Sequence, residues 1–199
     1  MHTKEAQAII TPEKALQLLK EGNVRFQNNL KAHHDLLEQV NETREGQFPF
    51  AAILSCIDSR VSAELVFDQG LGDIFSIRVA GNVINDDILG SMEFSAKLAG
   101  AKLIVVLGHT RCGAIKGACD NAKLGKLTGL LEKIKPAIQK VETLTEGQEF
   151  THAVSIKNVE VSLAEIRRQS DVLRKMEERK EIGIVGAMYD VATGKVDFL

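Results

Sequence analysis

Two short stretches of this chain gather the side chains that metals and protons use. Cys56-Ile57-Asp58-Ser59-Arg60 places a thiol, a carboxylate and a guanidinium side by side, and His109-Thr110-Arg111-Cys112 adds an imidazole and a second thiol. Cys and His are preferred zinc ligands, and two Cys with one His fill three of its four tetrahedral positions. The fourth position separates two kinds of protein. If Asp58 fills it permanently, the site is structural. If water fills it, hydroxide forms near neutral pH and the site is catalytic. Arg60 bears on that choice, because a guanidinium two residues from Asp58 can hold the carboxylate in a bidentate pair and compete with the metal for it. The chain also has apolar strands enough for a core without a metal staple, which weighs for catalysis.

Other readings of the same residues are weaker. Gly108 through Gly113 follows a strand and opens a helix, as a phosphate loop does, but Ala114 and Ile115 stand where that loop needs Lys and Ser or Thr. A Cys-His nucleophile pair leaves Cys56 and Asp58 without a role. Cys119 reads as an inert thiol, buried or half-buried.

The elements that must position these clusters follow from hydrophobic patterning. Four apolar runs of strand length occur: Phe50–Ser55, Asp73–Arg78, Lys102–Leu107 and Ile182–Ala187. Helical patterns separate them at Ala63–Phe67, Ile88–Ala99, and over two long stretches near 127–144 and 150–178. In the first long stretch Leu127, Leu130, Leu131, Ile134, Ile138, Val141 and Leu144 keep a helical period. Near-continuous apolar strands alternating with helices predict an α/β fold, a mainly parallel central sheet covered on both faces. Turn chemistry at Thr193-Gly194 predicts a hairpin that adds an antiparallel C-terminal edge strand. Ahead of the sheet, Thr11-Pro12-Glu13 reads as a helix start, and Leu16, Leu19, Phe26 and Leu30 give an amphipathic helix over roughly 12–30, with a second short one near 33–45. The chain thus reads as a single domain over 1–199, an N-terminal helical arm over 1–45 and an α/β core over 46–199.

Parallel sheets form sites at the carboxyl ends of their strands. Cys56 directly follows the first strand; His109 and Cys112 directly follow the third. In extended backbone, Cys56, Asp58 and Arg60 would share one face.

Composition narrows the class. The chain has 199 residues, 44% hydrophobic and 26% charged, with a formal charge of −2. That balance argues against a nucleic-acid binder. Three Cys in a chain of this length argue against a disulfide framework and for reduced thiols, which suits the cytoplasm. No apolar run is long enough for a membrane span, and the start lacks the apolar stretch of a signal peptide.

Cys56-x-Asp58-x-Arg60 paired with His109-x-x-Cys112-Gly113 resembles the signature of the β-class carbonic anhydrases. The likeness runs over roughly 12–199 and includes Gly22-Asn23-x-Arg25-Phe26, Gly72 through Asn82, Ile88 through Phe94, and Tyr189-Asp190-x-x-Thr193-Gly194. It implies one zinc per subunit on Cys56, His109 and Cys112, and reversible hydration of carbon dioxide to bicarbonate and a proton by zinc-bound hydroxide. It implies that Asp58 and Arg60 form a catalytic dyad, with Asp58 ligating zinc only in a closed state. Gln47 matches a substrate-binding Gln, and Phe75 and Phe94 match positions lining an apolar pocket by the metal. Phe94 departs from the pattern, since many relatives have Tyr there. Ile53 stands where members with the closed state tend to have Trp, which leans this chain toward the open form. The family assembles as dimers or tetramers with the site at a subunit interface, so a homo-oligomer is expected. Two alternatives remain: a related zinc hydrolase acting on carbonyl sulfide or carbon disulfide, and a non-catalytic zinc or bicarbonate-binding protein.

Overall fold

The computed structural model describes residues 3–141 and 147–199. Its centre is a five-stranded sheet of β1 (Ala51–Ser55), β2 (Ile74–Arg78), β3 (Leu103–His109), β4 (Gly183–Tyr189) and β5 (Val196–Phe198), in the order β2-β1-β3-β4-β5. The first four strands are parallel and β5 is antiparallel to β4, as the patterning predicts. Residues alternate between faces along each strand. Leu103, Val105 and Leu107 join Leu19, Ile53 and Phe67 in one core, while Ile104 and Val106 join Leu54, Met92 and Ile166 in the other. With helices on both faces, a strand buried on either side must be apolar throughout, which is why these runs do not alternate in polarity.

Three helices precede the sheet: α1 (Lys4–Ile9), α2 (Pro12–Gln27) and α3 (Leu36–Thr43). The sequence reading did not anticipate α1. The second begins as expected, with the Thr11 hydroxyl accepting from the Lys14 N–H and Pro12 in the first turn. Its stripe covers the sheet of its own chain: Ala15 and Leu19 are fully buried, and the Asn23 side chain bonds Val66 O, Gly194 O and Val196 N. Leu30 does not belong to that stripe. The helix stops at Gln27, Asn29 turns left-handed at φ 54°, and Leu30 is exposed. The third helix buries none of its residues, and Leu36, Leu37 and Val40 face outward.

Between the strands lie α4 (Ala63–Val66), α5 (Asp86–Glu93), continued by a π-helical turn over Phe94–Leu98, then α6 (Gly113–Cys119), α7 (Gly125–Glu132), α8 (Lys135–Ile138), α9 (Gly147–Gln169) and α10 (Asp171–Glu178). Two long helices expected from the pattern are each broken. Over 127–144 the periodicity persists, yet Pro136 has no N–H for the Glu132 carbonyl and its ring crowds that carbonyl, so α7 and α8 separate. Leu144 lies outside the described residues. Over 150–178, Ser170 turns extended, caps α10 through the Leu173 N–H and donates to Glu93.

Helix α9 lies unusually close to β3 and β4. A Cβ on Gly108 would stand 2.6 Å from Val159 Cγ2, and one on Gly186 would stand 2.7 Å from Val159 Cγ1. The two glycines form a slot for Val159, and that seating brings the polar face of α9, with Asn158 and Ser162, down to the carboxyl ends of the strands.

Candidate metal centre

The strand order reverses between β1 and β3, and a crevice opens there at their carboxyl ends. Ser55 pairs with Leu107, so Cys56 and His109 leave adjacent strands about 4.8 Å apart. Arg111 adopts φ 55°, which turns the chain sharply after β3 and returns Cys112 to the same point as the N-cap of α6. Cys56, His109 and Cys112 thereby bring one ligand atom each within 4.8 Å of one another. All three are buried, at 4%, 1% and 2% exposure.

The donor set fits zinc. The two sulfurs are 4.0 Å apart; two Zn–S bonds of about 2.3 Å at the tetrahedral angle place them about 3.8 Å apart. His109 Nδ1 lies 2.9 Å from the Thr110 carbonyl and so carries the ring proton. That leaves Nε2 with a lone pair, buried and without a hydrogen-bond partner in the structure. Thr110 is itself fixed: its N–H donates to Tyr189 O at 2.9 Å and its hydroxyl to Asp190 Oδ1 at 3.1 Å. The imidazole is thus oriented by the end of β4, as metal-binding His residues usually are by a second partner.

Electrostatics point the same way. Two neighbouring sulfurs cannot both ionise readily by themselves. The Cys112 thiol stabilises a thiolate at Cys56 against the cost of its burial, with the N–H groups of Gly81 and Asp58 adding to it, and holds Cys56 well below the ordinary thiol value. The Cys56 thiolate and burial then push Cys112 up, although the Ala114 and Ile115 N–H groups at the start of α6 also aim at its sulfur. A divalent cation between the sulfurs resolves that conflict by stabilising both thiolates.

Asp58 and Arg60 pair, but not through extended backbone. The chain turns here: Val61 N–H donates to Asp58 O at 2.9 Å, and Arg60 N–H donates to Asp58 Oδ1 at 3.0 Å. This Asx-type turn, rather than a shared strand face, aims the side chains together. Arg60 Nε and Nη2 then grip Oδ1 and Oδ2 at 2.9 and 2.7 Å. The Arg60 hydrogen bonds hold the Asp58 carboxyl far below the usual carboxylate range, against a smaller opposing effect of burial. The Asp58 carboxylate is not one of the atoms grouped with the two sulfurs and the imidazole.

A family model described as carbonic anhydrase matches residues 51–196, which contain all five of these residues. The chain belongs to the carbonic anhydrase family. Carbonic anhydrase of Mycolicibacterium smegmatis is 34% identical over 194 residues, covering 94% of this chain and 92% of that protein. Carbonic anhydrase 2 of Mycobacterium tuberculosis is 34% identical over 192 residues, covering 92% and 91%. Among solved structures, the β-carbonic anhydrase CcaA is similar with a TM-score of 0.74 at 26% identity, over 92% of this chain and 91% of that one. A β-carbonic anhydrase is a zinc enzyme that interconverts carbon dioxide and bicarbonate, and the Cys-His-Cys cluster of this chain is compatible with that ion.

The remaining expected carbonic anhydrase residues do not gather at the metal cluster of one chain. Gln47 is exposed and precedes the amino end of β1, whereas Cys56 follows its carboxyl end. Phe75 and Phe94 meet edge to face, ring centroids 6.2 Å apart, in an open groove of about 730 Å³. Arg78 connects that groove to the site, and the sequence reading gave it no role. Its Nε donates to Cys56 O at 3.1 Å and its Nη2 to Asp58 O at 2.7 Å, pinning the backbone that carries both residues. An arginine at the carboxyl end of a largely apolar strand is the available signal. Gly81 and Asn158 carry no motif that gives them a role; the visible hint is an Asn and a Ser four residues apart on one face of a helix, Asn158 and Ser162.

Proposed function

We propose that Cys56, His109 and Cys112 hold the zinc of this carbonic anhydrase, and that Asp58 and Arg60 drive its chemistry. One observation carries the assignment: a buried His109 Nε2 with no partner, facing two thiols whose spacing suits one tetrahedral ion. Zinc supplies Lewis acidity there, enough to let water ionise near neutral pH. Ionised Asp58 only accepts hydrogen bonds. It would therefore accept a hydrogen bond from the remaining O–H of that ionised water, whose proton has passed to solvent, and turn an oxygen lone pair toward the carbon of carbon dioxide. Arg60 keeps Asp58 ionised and turned from the ligand cluster, which supports the open form.

Phe75 and Phe94 offer apolar walls to a small uncharged substrate, and Gln47 offers an amide to one of its oxygens. Within one chain Gln47 stands at the wrong end of β1, so it serves the site of a second copy. The unburied α3 and the outward Leu36, Leu37, Val40, Phe94 and Leu98 give that copy an apolar surface to cover. We read the protein as a homodimer or larger. Among the described residues no helix is long and apolar enough to cross a membrane, and ligand thiols that must stay reduced favour the cytoplasm.

The test is stopped-flow hydration of carbon dioxide by purified protein with its zinc counted. Activity at neutral pH with one zinc per chain, lost to a chelator and restored by zinc, is expected. A zinc-loaded protein inert toward carbon dioxide but active on carbonyl sulfide would overturn the reading.

A further inference from the structure

After β2 the chain makes a tight turn over Ala80–Asn82, with Gly81 at φ 68° and Asn82 at φ 43°. The turn is wedged between the metal site and α9, and it is held from both sides. The Gly81 N–H donates to Cys56 Sγ at 3.3 Å. The Gly81 carbonyl accepts from Asn158 Nδ2 at 2.8 Å, a contact that is buried, with Asn158 only 2% exposed. One helical turn along, Ser162 Oγ donates to Asn82 O at 3.2 Å. A buried amide costs free energy unless it is bonded, and the Asn158 NH2 group donates to this carbonyl.

Resting on the zinc reading of this site, we propose that Asn158 is a positioning residue of the metal centre: it locks the Gly81 peptide so that its N–H stays aimed at the sulfur of Cys56. An N–H given to a ligand thiolate draws electron density from the sulfur, weakens its donation to the metal and keeps the ion electrophilic. Outer-shell bonds of this kind also hold the ligand in place, and their loss typically lowers metal affinity about 10–100-fold. Two thiolate ligands make such tempering more consequential, since each donates charge to the ion.

The wild-type protein loaded with NMR-active cadmium tests the first half directly. The Gly81 amide proton should show scalar coupling to the metal through the Cys56 sulfur. Cys56 β-protons coupled to cadmium with an uncoupled Gly81 amide would overturn the proposal. Absence of any Cys56 coupling would instead remove the metal assignment on which it rests. The second half uses cobalt-substituted Asn158→Leu, which keeps side-chain bulk and removes the donor, with Asn158→Ala as the less crowded alternative. The thiolate-to-cobalt charge-transfer band should move to lower energy, and zinc affinity by chelator competition should fall about tenfold. Ser162→Ala should leave the band in place. An unmoved band in either folded Asn158 variant, or an equal shift in Ser162→Ala, would overturn the role of Asn158.

Discussion

Alanine at Gly81 and alanine at Gly113 are the same chemical change made beside two thiols of one cluster, Cys56 and Cys112, and the structure requires opposite outcomes. At Gly81 the backbone is left-handed, φ 68°, which costs an L-residue roughly 1–2 kcal/mol. The new Cβ would stand 3.0 Å from Ile134 Cδ1 and 3.3 Å from Ala114 Cβ. Ile134 is fully buried and cannot swing away, and Ala114 moves only with its backbone. Over-packing of this kind adds about 1–3 kcal/mol, and the stiffer unfolded chain returns about 0.4–1 kcal/mol. The net is a loss of about 1–5 kcal/mol. At Gly113, the exposed first residue of α6, nothing lies within 4 Å of the added carbon and φ is not positive. Alanine should there be neutral or stabilise by about 0.4–1 kcal/mol. Denaturant unfolding of the zinc-loaded proteins, at one protein and one zinc concentration, measures both changes. The same reasoning places the melting temperature of Gly81→Ala roughly 2–20 °C below wild type, at about 2–4 °C per kcal/mol for a chain of this size. Equal stability of wild type and Gly81→Ala would mean that the turn beside Cys56 is not wedged as described. A Gly113→Ala protein as unstable as Gly81→Ala would mean that general crowding, not the turn, sets the cost.

Cys56→Ser should lose most of its zinc while remaining folded, checked by metal analysis of the dialysed protein; a fully metallated variant would remove Cys56 from the ligand set. Asp58→Asn should keep its zinc and lose roughly 100-fold or more in hydration rate. Because Arg60 holds the Asp58 carboxyl so low, Asp58 stays ionised wherever the protein is folded, and the acid limb of the pH profile should not move in Asp58→Asn. Mixed oligomers of Gln47→Ala and Asp58→Asn chains should regain activity that neither variant has, since one site would combine both wild-type groups; no recovery on mixing would place Gln47 outside the partner's site. Asp68 anchors the arm through Arg25, at 2.5 Å, and the Ala32 N–H, at 3.0 Å. Burial opposes its charge, but Arg25 and Ala32 outweigh it, and its folded carboxyl lies below the ordinary value. Its contribution is therefore complete above the unfolded value of about 3.9 and lost as pH falls through the lower folded value. Asp68→Asn should be less stable than wild type at pH 6, with the gap closing only below about pH 4; a gap that closes by pH 5 would contradict this.

The ligand types, their placement after two apolar runs, and the parallel sheet were readable in the sequence alone. A run of residues buried on both faces must be apolar throughout, and that is a local property of the letters. The helix start at Thr11-Pro12 was legible for the same reason, because a cap is satisfied within four residues. What the letters did not decide depends on contacts between distant segments. Periodicity continued through Pro136 and Ser170, so the breaks there were hidden behind unbroken apolar patterns. Asp58 and Arg60 were legible as a pair, but the turn that aims them is set by backbone bonds that spacing does not reveal. The direction in which His109 Nε2 points depends on Thr110, which is held by the far end of β4. Above all, the Gly81 turn meets the Cys56 sulfur on one side and Asn158 on the other where α9 sits deep, with Val159 against the two glycines of β3 and β4. The sequence determined which atoms could bind a metal. The tertiary structure decided how firmly they are aimed, because aim is a property of packing across segments that no local pattern encodes.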